Sequence, residues 1–197
     1  MCTIFIRRHI SGLGQGQIFT TRDCLLYGSR AAVDQALSRL VRSGSILRLA
    51  RGVFMRADAN APRPSVLSIA TAKAQAFGKL ITSHGAHLAE EFGLPVYANP
   101  DTTFIISGSS SSFRADDTVI RLKGSCLRRI RCGETLAGRI TRALWYLGKT
   151  DCTPSAVAAT LKLCGRTDRQ ELRRATKWLP AWLSHYFVRR QYLPSAA

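Results

Sequence analysis

Acidic side chains are scarce in this chain. Twelve Asp and Glu stand against 29 Lys and Arg in 197 residues, a formal net charge of +17 with an isoelectric point near 10.7. The shortage bears on function, because a nuclease needs clustered carboxylates to hold a divalent ion. Asp116-Asp117 precede "VIRLK" (119–123), but the position two residues before Lys123 is Arg121, where a nuclease of that type needs an acid. A cation there repels a metal, so no catalytic residue, no metal centre and no cofactor is expected. Also missing is any run of 18 apolar residues, or an apolar segment behind a basic N-terminus. A membrane span and a cleaved secretion signal are therefore not expected, and the reading is of a cytoplasmic protein.

Other chemistry is excluded by spacing. Six cysteines occur, yet no two form C-x-x-C and no Cys/His set has zinc-finger spacing, so they read as reduced thiols, with Cys24 on the apolar side of a helix. "GLGQGQ" (12–17) has neither a preceding strand nor a following Gly-Lys-Ser/Thr, which makes it a connector and not a phosphate loop. His84 and His87 lack a third ligand and read as capping and packing residues. The hydroxyls of 107–112 have no paired base.

What is present is basic and uneven. Residues 1–60 carry nine Lys/Arg against three acids and 111–150 again nine against three, while 61–110 are balanced. Charge of this size speaks of a polyanionic partner. Arg outnumbers Lys, which suits bidentate contacts to phosphate and guanine. An apolar content of 46% is enough to bury a core.

The first 60 residues have a readable order. A short basic helix is expected over 3–11 and a strand over 18–20. Thr20-x-x-Asp23 resembles a capping box for a helix to Tyr27. Gly28 is placed in the left-handed conformation that closes that helix, and Ser29 caps the next. Val33, Ala36, Leu37, Leu40 and Val41 then form an apolar stripe at helical spacing, ended by Gly44. Over 45–56 the period changes to two, with Leu47 and Leu49 on one face and Arg48 on the other. Ala50-Arg51-Gly52 fits a three-residue hairpin loop. Helix, tight turn, helix, basic hairpin is the order of a winged helix-turn-helix, whose second helix enters a major groove about 12 Å wide. The expected double-stranded-DNA contacts are Arg30, Gln35, Ser38, Arg39, Arg42, Arg48 and Arg51. Gln35, Ser38 and Arg39 read bases; Arg42, Arg48 and Arg51 hold phosphates. The competing reading is a small helix-hairpin unit that binds protein.

Beyond this domain (1–56), 57–65 reads as a linker, and 66–197 as a mixed α+β domain with a helical C-terminal end, giving an α+β chain overall. Helices are expected over 66–77, 84–92, 134–147, 154–163 and 168–189, the last broken or kinked at Pro180. Strands are expected over 80–82, 102–107 and 119–123, with 128–132 a further candidate and 107–112 a loop. Arg114, Arg121, Lys123, Arg128, Arg129 and Arg131 form a second basic region. It fits a longer DNA footprint, an acidic protein partner or a solvated face equally well. Arg169, Arg173 and Arg174 are placed on the outer side of the helical tail.

The stretch "FTTRDCLLYGSRAAVDQALSRLVRSGSILRLARGVF" (19–54) resembles the N-terminal winged helix of the AbiEi-like abortive-infection antitoxins. A weaker similarity runs through "ITSHGAHLAEEFGLP" (81–95), "TTFIISG" (102–108), "ALWYLGK" (143–149) and "LPAWL" (179–183). The resemblance implies a two-domain bacterial antitoxin whose N-terminal domain represses its own operon by binding operator repeats. Its C-terminal domain would contribute to repression and neutralise a nucleotidyltransferase-like toxin. Arg30, Gln35, Ser38, Arg39, Arg48 and Arg51 occupy the recognition-helix and wing positions of that pattern. A stand-alone winged-helix regulator and a nucleic-acid-processing enzyme with a divergent metal site are the alternatives.

Overall fold

Helix α1 (Cys2–Ser11) turns its apolar side, Ile6 and Ile10, inward, and a glycine-rich connector leads to β1 (Ile18–Thr20). This computed structural model describes residues 2–57, 60–97 and 102–188. The chain is mixed α+β and divides into two compact units, residues 1–81 with 110–122 and residues 82–109 with 123–197. The division does not fall at the expected linker. Helix α3 (Val66–Gln75) and residues 110–122 group with the N-terminal elements, because long-range packing and not chain order sets the grouping. Residues 58–59 of that linker, and residue 189 of the expected last helix, lie outside the described residues.

In the first unit, Thr20 and Asp23 make the expected box: the Thr20 amide and hydroxyl donate to the Asp23 carboxylate at 2.7 and 2.9 Å. The helix they start, Thr21–Tyr27, is wound as a 3₁₀ helix. Gly28 does not adopt the expected left-handed conformation. Its φ of 165° is extended backbone open to any residue. What it supplies is space, since a Cβ there would lie 3.1 Å from the Cys2 sulfur on α1. Ser29 then caps α2 (Arg30–Arg42) by accepting from the Ala32 amide at 3.4 Å. Val33, Ala36, Leu37 and Leu40 are buried with Ile6, Phe19, Cys24 and Phe54.

Strands β2 (Ile46–Ala50) and β3 (Val53–Arg56) form the basic hairpin, and the sheet order is β1-β3-β2. Two expectations fail here. Ala50 pairs with Val53, so the connection is the two residues Arg51-Gly52 and not three, with Gly52 at φ 77° as the turn requires. Leu47 and Leu49 do not share a face either. The register shifts between Arg48 and Ala50, leaving Leu49 as an extra residue. This bulge turns Leu49 inward to 3% exposure and leaves Leu47 outside at 46%.

The chain continues through α3, β4 (Ile81–Ser83), α4 (Gly85–Glu91) and β5 (Thr103–Ser107). Then come β6 (Ser111–Ala115) and β7 (Thr118–Ser125), paired antiparallel with Phe113 opposite Ile120. The expected loop at 107–112 thus runs into a strand, and the candidate strand at 128–132 is instead a single helical turn, α5 (Leu127–Ile130). The helical end is α6 (Leu136–Asp151), kinked at Gly148, with α7 (Pro154–Leu161), α8 (Arg166–Ala175) and α9 (Ala181–Val188). Pro180 separates the last two, as expected. Leu88, Ile140, Leu144, Val157, Leu172, Leu183 and Phe187 form the core of this unit, and Trp145 and Trp182 pack against it as structural side chains.

Candidate nucleic-acid interface

With Val33, Ala36, Leu37 and Leu40 inside, the 100° step of a helix turns Ala31, Gln35, Ser38 and Arg42 to the opposite side of α2. Gln35 and Arg42 are exposed there, Ser38 is half-buried, and Arg39 is exposed at the edge of that face. Arg39 and Arg42 make no ion pair among the described residues. Arg30 is different: its Nε donates to Asp34 Oδ2 at 2.9 Å, the two side chains being 65% and 51% exposed. An exposed i,i+4 pair of this kind is worth about 0.3–0.5 kcal/mol. It still ties Arg30 to an acid on the same helix, which the i,i+4 spacing in the sequence could have signalled.

On the hairpin, Arg48 is exposed, and its guanidinium lies 5.6 Å from the centre of the buried Phe54 ring. A cation–π contact at this distance holds the charge near the ring without neutralising it. Arg51 occupies the exposed turn, and its carbonyl accepts from Lys73 Nζ. Lys73 was not among the expected site residues; it lies on α3, beyond the expected linker, and nothing local in sequence points from it to Arg51. Burial, and then the charges of Arg51 and Arg30, lower its pKa below the ordinary value. Two other basic residues of this unit hold the fold. Arg22 donates to the Ala76 carbonyl at 2.7 Å, and Arg56 to the Leu13 carbonyl at 2.9 Å.

The second basic region is divided. Arg114 and Arg121 belong to the first unit, whereas Lys123, Arg128, Arg129 and Arg131 belong to the second. Arg129 is half-buried, 5.0 Å from the Trp145 ring centre and donating to that residue's carbonyl. In the helical tail Arg173 and Arg174 are exposed. Arg169 is not on the outer side: it is half-buried and donates to the carbonyls of Cys164 and Leu161 at 3.2 and 3.4 Å. Arg142 is deeply buried and meets Glu134 through two parallel hydrogen bonds of 2.8 and 2.9 Å, with Thr82 completing the cluster.

His84 caps α4, its Nδ1 accepting from the Ala86 amide at 3.2 Å, which requires an unprotonated nitrogen. Burial, then Lys123 and Arg129, hold its pKa below the usual histidine value. His87 is exposed. Burial pushes the thiols of Cys24, Cys132, Cys152 and Cys164 up to about 11, so they are protonated packing groups and not nucleophiles. Among the described residues no three His, Cys, Asp or Glu side chains are grouped to hold a metal ion, and no helix is long and apolar enough to cross a membrane.

By fold the chain is an α+β protein with an arginine-bearing helix and hairpin in its first unit. Residues 5–172 match the model of a family described as a family of unknown function (DUF6088), and the chain belongs to that family. Neither the curated proteins nor the solved structures contain a match.

Proposed function

We propose that this chain is a DNA-binding transcriptional repressor with a winged helix-turn-helix in its first unit. We propose further that it is the cytoplasmic, non-catalytic antitoxin of a toxin–antitoxin pair that represses its own operon. One observation supports the DNA half most: Gln35, Arg39 and Arg42 stand on the outward side of a capped helix and pair with no carboxylate among the described residues, directly ahead of a hairpin presenting Arg48 and Arg51. Amide and guanidinium groups on one helix face match base edges and phosphates together. The antitoxin half rests on the resemblance of residues 19–54 to the abortive-infection antitoxins. It makes a nucleotidyltransferase-like toxin the protein partner.

Two experiments separate the halves. The full chain is titrated against the duplex upstream of its own gene at increasing salt. Saturable binding that weakens linearly on a log–log scale, by about 0.9 per phosphate neutralised, supports the DNA half; salt-independent or absent binding removes it. The neighbouring reading frame is then expressed with and without this chain. Toxicity relieved by the chain supports the antitoxin half, and a neighbour that is harmless alone overturns it.

A further inference from the structure

A cleft of about 350 Å³ opens in the first unit, between α3 and the β6–β7 hairpin, lined by first-unit residues alone. Three cations reach it, Arg51, Lys73 and Lys79, and no carboxylate lines it. Two aromatic rings join them. Phe77 is 58% exposed with the Arg22 guanidinium 5.2 Å from its ring centre, and Phe113 is half-buried with Lys73 Nζ 5.6 Å from its centre. Ser111 lies two residues before Phe113 on β6, hence on the same face, and adds a hydroxyl. Cations gathered in a cleft that no acid lines, beside two partly exposed rings, complement a ligand that is flat at one end and anionic at the other. The volume is at the small end of the roughly 300–1,000 Å³ typical of small-molecule sites, which suits one nucleotide and not a dinucleotide.

We propose that this cleft binds a nucleoside phosphate, the base against Phe77 and Phe113 and the phosphate on Lys73, Lys79 and Arg51. Burial, and then the neighbouring charges of Arg51 and Arg30, lower the pKa of Lys73. Arg51 also forms the turn of the β2–β3 hairpin, so a bound nucleotide draws on a side chain that the DNA reading uses. That link rests on the proposed function, whereas the binding does not.

The test is calorimetric titration of the full chain, without DNA, with the four common ribonucleoside monophosphates and triphosphates. Inorganic phosphate, adenosine and a short oligo(dT) serve as comparisons. The expected result is saturable one-to-one binding of at least one nucleotide, with phosphate and adenosine each about tenfold or more weaker. Phe77→Ala, which truncates an exposed ring, and Lys73→Gln should each weaken it by about tenfold while melting as the parent does. Three results overturn the proposal: no nucleotide binds; one binds but neither substitution weakens it; or oligo(dT) binds through Phe77 while no free nucleotide does. Because duplex DNA is absent, failure here and failure of the repressor reading are seen separately.

Discussion

The arginines of α2 and the β2–β3 hairpin and those engaged within the second unit do different work. In the first, Arg39, Arg42, Arg48 and Arg51 are exposed, and none of them is ion-paired among the described residues. In the second, Arg142 is clamped to Glu134, Arg139 meets Glu91, Arg129 lies over Trp145, and Arg169 donates to two backbone carbonyls. A net charge of +17 therefore overstates what a polyanion can use. Buried or carbonyl-bound guanidiniums are already committed to the fold, and removing one partner leaves a desolvated charge. The guanidiniums of Arg39, Arg42, Arg48 and Arg51 are not committed to an ion pair among the described residues.

The largest effect expected from this contrast is on DNA. Replacing Arg39 and Arg42 together by Glu should weaken duplex binding by about 100-fold or more, since the change removes a base contact at Arg39 and a phosphate attraction at Arg42, and adds a repulsion at each. The matching pair in the second unit, Arg173→Glu with Arg174→Glu, should leave duplex binding within about threefold, as expected of charges outside the contact. Gel-shift titrations of both pairs give the comparison directly, and equal losses would erase it. Stability should respond the other way. Glu134→Gln weakens the pair to buried Arg142, whose partner is itself 60% exposed, and should cost about 1–2 kcal/mol in urea unfolding with no change in DNA affinity for the folded fraction. A loss below about 0.5 kcal/mol, the range of ordinary surface substitutions, would mean that Arg142 finds another partner.

Within the DNA face, Gln35→Ala should cost about 1–3 kcal/mol at one preferred base pair, while Arg48→Ala should weaken all sequences alike. Binding to a library of single-base variants tests this, and the reversed pattern would exchange the two roles. The smallest effect is on pH dependence. The fold favours neutral His84, so as pH falls through its ordinary 6.5 the unfolded chain takes up a proton that the folded chain resists. The stability contribution is thus full above that value and declines below it. His84→Asn keeps an N-cap and should flatten the decline in melting temperature between pH 7.5 and 5.5; an unchanged slope would place the titration elsewhere.

Much of the first unit was legible because its signals are local. The α2 stripe, the Ser29 cap and the Thr20–Asp23 box each depend on residues within one or two turns. The β2 bulge was not legible, because the extra residue at Leu49 is defined only by pairing with β3. Strand β6 escaped for a related reason. Ser111 and Ser112 have little strand preference of their own and are carried by pairing to Leu122 and Arg121. The grouping of α3 with residues 110–122 was not legible, because Pro and Ala punctuate the chain at 57–65 while that packing is settled by residues far apart in sequence. For the candidate site, exposure of Gln35, Arg39 and Arg42 followed from the stripe. The pairing of Arg30 followed from nothing in the stripe. Arg142 did leave a trace, as a charge inside the buried run of α6 between Ile140 and Leu144.

The most direct measurement is the salt dependence of duplex binding by the full chain, the parent beside the Arg39→Glu, Arg42→Glu variant. If this face carries the contact, log K falls linearly with log salt in the parent. The slope of the variant is then shallower by about 0.9 for the phosphate that Arg42 no longer neutralises. An identical slope and affinity in the two proteins would contradict the account and place the DNA-binding surface elsewhere.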